Sequence, residues 1–165
     1  YYRMDLEFLF STNPFVSSDA ARFSMIKPNR ADRLALDPSQ EGLLIPLPNE
    51  FEGTNVLIEV VGGGLRKAQA YYSNSLNLQL AGNQGQLKVT HANDRNRPLA
   101  KVYIKVYAEI DGQPRFYKDG YTDLRGKFDY ASLNTDDLSQ ANRFSILVIS
   151  EDYGALVQEV KPPQR

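Results

Sequence analysis

Residues able to do chemistry are sparse in this chain of 165 residues: one histidine and no cysteine beside 20 carboxylates and 19 cations. A nucleophilic triad needs an oriented imidazole beside an activated hydroxyl. His91 lies in "THANDRN", a turn sequence, and no G-x-S-x-G elbow occurs. His91 is therefore expected to face solvent. Zinc centres draw on several His or Cys, which this composition cannot supply. Calcium needs clustered oxygens on a D-x-D-x-D-G type of loop. Asp119 and Asp123 are instead four residues apart and Asp136 and Asp137 adjacent, a pattern of solvated turn carboxylates. A glycosidase pair could be drawn from Glu50, Glu52, Glu59 or Glu109, but alternation alone makes outward acids common and nothing selects two. "VVGGGLRK" lacks the lysine-hydroxyl ending and the following helix of a phosphate loop, so Gly62–Gly64 reads as a hairpin turn. No catalytic residue, metal or cofactor is expected, and the chain reads as a non-enzyme.

Aromatic residues carry more weight: ten Tyr and eight Phe, without a Trp. Tyr103 and Tyr107 flank Lys105 on the polar side of "KVYIKVYAEI", about 13 Å apart at roughly 3.3 Å per residue. Tyr117 and Tyr121 follow on the next expected strand. Exposed tyrosines on a sheet suit a protein, glycan or peptide surface. They equally suit cross-strand packing against Lys and Arg stems. Spacing leaves both readings open.

The elements that must position these residues are strands. Period-two alternation runs through most of the chain and period 3.6 is nearly absent. "RMDLEFLF" alternates Met4, Leu6 and Phe8 against Asp5 and Glu7. "RFSMI" and "RLALD" read as short strands, and "GLLIPLPNEFEG", with Pro46 and Pro48, as an edge or extended crossing. In "KVYIKVYAEI", Val102, Ile104, Val106, Ala108 and Ile110 face one way. "NTDDLSQANR" allows one helical turn with Thr135 as cap. "FSILVIS" is continuously apolar, which predicts a strand buried on both faces. In "KDGYTDLRGKFDY", Gly120 and Gly126 bracket Asp123, which favours a structural turn over a binding loop, with Asp at its first position and Gly at its last.

About a dozen short strands imply an all-β fold. Two small sandwich modules in tandem, meeting near "AGNQGQ", are favoured over one larger sandwich. The split gives residues 1–83 and 84–165. Charge is balanced, −1 overall, which argues against a nucleic-acid surface. No apolar stretch reaches the ~18 residues of a transmembrane helix, and no signal peptide is evident. The chain begins with Tyr1 rather than Met and is expected to be a piece of something longer or a processed product.

Pro98-Leu99-Ala100, the long strand after it, and Thr122-Asp123-x-x-Gly126-x-Phe128 together resemble transthyretin-like, carboxypeptidase regulatory-like domains over residues ~85–160. The first half is similar to macroglobulin-type or immunoglobulin-like sandwiches. The whole looks like the C-terminal part of large bacterial multidomain proteins. The resemblance implies a non-catalytic structural or protein-interaction module of a larger surface or envelope protein, in an extracellular or cell-envelope setting, with the cytoplasm left open. Its partners would be neighbouring domains of the same protein or a second copy. The alternative is an accessory module that binds a glycan or peptide on Tyr103, Lys105, Tyr107, Tyr117 and Tyr121.

Overall fold

Alternation along Tyr103–Ile110 sends Ile104, Val106, Ala108 and Ile110 into the core and leaves Tyr103, Lys105, Tyr107 and Glu109 half-buried on the other face. That strand anchors the larger part of the chain. The computed structural model describes residues 1–3, 6–15, 27–132 and 136–163. In chain order these form β1 (Tyr2–Arg3), α1 (Leu6–Thr12), β2 (Val56–Gly62), β3 (Leu65–Tyr71), β4 (Leu76–Ala81), β5 (Gln86–His91) and β6 (Asp94–Pro98). They continue with β7 (Tyr103–Ile110), β8 (Gln113–Tyr121), β9 (Lys127–Asp129), α2 (Asp136–Gln140), β10 (Ala141–Ser150) and β11 (Gly154–Val160).

The strands make three antiparallel sheets: β1-β2-β3, β11-β10-β7-β8, and β4-β5-β6 with β9 also paired to β5. The second and third sheets face each other as a sandwich. Leu76, Leu87 and Val89 from one meet Ile104, Val106, Phe144, Ile146 and Val148 from the other, with Tyr130 and Leu138 closing the ends. The β7–β8 hairpin turns on Asp111 and Gly112, both at positive φ, which matches the right-handed twist of the strands it joins. Gly63 and Gly64 do the same for β2–β3.

Several expectations change. "RMDLEFLF" is not a strand from Leu6 onward: Leu6–Thr12 is helical. Leu6, Leu9 and Phe10 recur at the helical spacing of three and four, and this competing period wins. Residues 33–37 and 43–48 join no ladder and are largely exposed, so "RLALD" and "GLLIPLP" run as extended coil. "RFSMI" and the proposed Thr135 cap lie outside the described residues. β6 falls where only a turn was expected, and His91 ends β5 with its ring edge-on to Tyr153 at 5.2 Å. "AGNQGQ" does not separate two sheets. A short 3-10 turn there joins β4 to β5, which pair from Leu76↔His91 to Ala81↔Gln86.

Candidate functional site

The segment Lys118–Tyr130 forms a turn locked into the sandwich. Asp123 carbonyl accepts from the Gly126 amide at 2.9 Å, and the Asp123 amide donates to Lys127 carbonyl at 2.9 Å. Oδ1 of Asp123 accepts from the amides of Arg125 and Lys127, while Oδ2 takes the Arg125 guanidinium at 2.7 Å. The Lys127 amide and the Arg125 side chain hold the Asp123 carboxyl below its ordinary range. Gly126 stands at φ +72°, and its carbonyl accepts from the Val89 amide at 2.8 Å. A Cβ there would meet the Val89 carbonyl oxygen and come 3.1 Å from the Leu99 amide. Gly120 leaves room for the Phe128 ring, which an added Cβ would approach to 2.8 Å. Gly126 is therefore buried against the sandwich, Gly120 packs over Phe128, and Asp123 holds the turn from its half-exposed position.

The tyrosines separate into three environments. Tyr117 sits at the bulge in the β7–β8 pairing, between Val106↔Lys118 and Tyr107↔Phe116. The extra residue turns its ring inward, 5.1 Å from Phe144, and its hydroxyl accepts from the Ser132 amide. Tyr117 thus belongs to the core and drops out of the candidate surface.

Tyr107 lies on the outer face but under α1. Phe10, 1 % exposed, packs edge-on against it at 5.5 Å and covers Leu147 and Ala155. Lys105 Nζ donates to Ser11 Oγ at 2.9 Å. Ser145 Oγ donates to the Pro14 carbonyl, and the Arg143 guanidinium lies over the Phe15 ring at 4.4 Å. Arg143 also pairs with Glu109 at 2.6 Å and Glu159 at 3.1 Å. Ser145, Leu147 and the inward Phe144, Ile146 and Val148 are all buried, so "FSILVIS" is covered on both faces.

Tyr103 and Tyr121 remain at the margin. Their rings lie 5.4 Å apart, and Tyr103 Oη donates to Asp119 Oδ2 at 2.9 Å. Burial, helped by that bond, pushes the Tyr103 phenol up to about 12. Tyr121 is 66 % exposed, Phe116 55 % and Leu124 86 %. Phe116, 5.8 Å from Tyr107, extends the aromatic row along β8. Phe116 and Leu124 were not singled out from sequence. Pairing Phe116 with Tyr107 across the hairpin was the available signal for the first.

Among the described residues, no three His, Asp or Glu side chains gather where they could hold a metal ion. No helix among them is long and apolar enough to cross a membrane.

Comparison with known proteins fixes the relationship. A family model for the AbpF C-terminal domain matches residues 75–165, more than half of the chain. A second, for the AbpF seventh immunoglobulin-like domain, matches residues 1–58. Actin-binding protein F of Dictyostelium discoideum is 42% identical over 164 residues, which is 99% of this chain and 7% of the relative's own length. No solved structure matches. The fold is therefore two tandem immunoglobulin-like domains, and nothing in these matches supports a transthyretin-like second half or a bacterial setting. A glycan or peptide partner finds no support in them either. The expected extracellular or envelope location is corrected, because the matched relative is an actin-binding protein. By the match over residues 75–165, the chain belongs to the AbpF C-terminal domain family.

Proposed function

We propose that this chain is a non-catalytic docking module of a larger intracellular protein and that it contributes to contact with actin. The observation that carries this reading is the exposed aromatic corner of β7 and β8, where Tyr121 and Phe116 stand open beside the half-buried Tyr103. Aromatic side chains present large, rigid, amphipathic area and are enriched where proteins meet. Leu124, on the turn that follows β8, is also largely exposed. Lys105, on the same face of β7 as Tyr103 and Tyr107, is held by Ser11. The relative's name supplies actin as the partner.

The boundary between the two modules belongs near Ser73–Ser75. Ser75 donates to the Tyr153 carbonyl at 2.8 Å and its own carbonyl accepts from Ala92 at 2.9 Å, so the chain is already part of the second sandwich there. The Asn74–Gly154 bridge supports the same placement.

Co-sedimentation of the whole chain with actin filaments tests the reading. The parent is expected to pellet with filaments and the Phe116→Ser, Tyr121→Ser double variant about ten-fold less, with an unchanged melting temperature. Equal pelleting of both proteins would remove the aromatic corner as the contact. No pelleting of the parent would remove actin. Sedimentation without actin reports on neighbouring modules or a second copy as the partner instead.

A further inference from the structure

We propose that the outer face of the β4-β5-β9 strands binds neighbouring carboxylates on an acidic segment of a partner protein, with Lys88 and Lys127 as the cationic pair. Strand register places the two side chains together. Lys88 of β5 stands directly opposite Lys127 of β9. Leu87, Val89 and Phe128 beside them belong to the core, so both lysines point outward. Like charges directly opposite each other across a ladder are destabilising, and a carboxylate between them would relieve the repulsion. Among the described residues neither ammonium has an ion-pair or hydrogen-bond partner. Asp129, further along β9, is engaged by Gln86 Nε2 at 2.8 Å. Both lysines are half-buried, so their stems lie along the sheet while the charged ends stay in water.

The surroundings add further donors. Gln79 of β4 is the register partner of Lys88, so the row Gln79, Lys88, Lys127 crosses the three strands on one face. The row borders an open groove of about 290 Å³, which Gln84 and Gln86 also line. Phosphate sites draw on free backbone N–H groups, a helix N-terminus or an arginine fork. Here β5 is paired with β4 on one edge and β9 on the other, which commits its amides to the ladders. Arg125, close by in sequence, is taken by Asp123. What remains is two point charges, leaving their strands at Cβ atoms roughly 5 Å apart, with side-chain amides in line. Such a row suits carboxylates spaced along an extended chain. The face lies across the sandwich from Phe116 and Tyr121, so the site does not depend on the docking reading above.

Nuclear magnetic resonance titration of the whole chain with tetraglutamate tests the site, with tetraglutamine and inorganic phosphate as the other arms. Tetraglutamate is expected to shift the amides of Gln79, Lys88 and Lys127 saturably, and more weakly as salt is raised. Tetraglutamine should leave them unmoved, and phosphate should bind several-fold more weakly than tetraglutamate. The Lys88→Gln, Lys127→Gln double variant should bind tetraglutamate at least about ten-fold more weakly than the parent. Its melting temperature should equal or exceed the parent's, because it loses a repulsion and no partner. Undiminished binding by the variant would overturn the site, as would shifts in the parent that avoid this face. Phosphate binding as tight as that of tetraglutamate would overturn the assignment to carboxylates. A lower melting temperature would show that the lysines serve the fold instead, and the proposal would fall.

Discussion

Thr122 is tied to Val102 twice: its amide donates to the Val102 carbonyl and its hydroxyl oxygen accepts from the Val102 amide, each at 3.0 Å. The same hydroxyl donates to the Leu99 carbonyl at 2.7 Å. The link between β6 and β7 and the turn after β8 are thereby one unit. Thr122→Val keeps the shape and removes the hydroxyl, leaving a buried donor and a buried acceptor unpaired. A loss of about 2–3 kcal/mol is expected. Urea denaturation should show a lower midpoint with an unchanged slope.

Gly126→Val places a β-branched residue at φ +72° with its Cβ against the Val89 carbonyl. Strain of this kind costs about 1–3 kcal/mol, and backbone on both sides leaves little room to relax. Thermal melts should show a drop of several degrees. An unchanged midpoint would mean the turn is not locked as described.

Tyr107 and Tyr121 should separate cleanly. Tyr107→Ser removes the ring that Phe10 rests on and is expected to destabilise by about 1–2 kcal/mol. Tyr121→Ser, on a largely exposed residue, should stay within about 0.5 kcal/mol of the parent. Equal effects would place both rings in the same environment.

The carboxyl of Asp123 is held below its ordinary value of 3.8, chiefly by the Lys127 amide and then by Arg125. Folding favours its charged form. Its contribution is complete above 3.8 and is lost as pH falls through the lowered value. The melting-temperature gap between the parent and Asp123→Asn should therefore be steady above about pH 5 and close under more acid conditions. A gap that widens on acidification would contradict the assignment.

Much of the second module was legible in the sequence. Alternation on β7 separates Ile104, Val106 and Ala108 from Tyr103 and Tyr107, and the Asp123–Gly126 turn follows from residue types with narrow backbone preferences. The continuous apolar run of β10 announced a cover on its outer face, but nothing local said what supplies it. That information sits some 130 positions away in Phe10, where alternation suggested a strand instead, and in Pro14. Tyr117 was misplaced because a bulge adds one residue to β8 and shifts the side-chain alternation there. The coil through residues 33–48 defeated the reading for the opposite reason. Its leucines alternate as a strand would, and no partner strand pairs with them among the described residues.

The contact between Pro14 and Ser145 spans 131 residues of sequence. On a ribosome moving at about 5–20 residues per second, Pro14 would wait roughly 7–26 s before Ser145 is even made. Throughout that interval Phe10 has no seat, and the outer side of β10 does not exist to receive it. The sandwich can close from nearby hairpins, β4–β5, β7–β8 and β10–β11, each a local pairing that forms quickly. The cover is then seated last, although it is synthesised before the strands that receive it. A ribosome stalled soon after β11 should hold a chain whose sandwich resists protease while the segment Leu6–Phe15 is still cut.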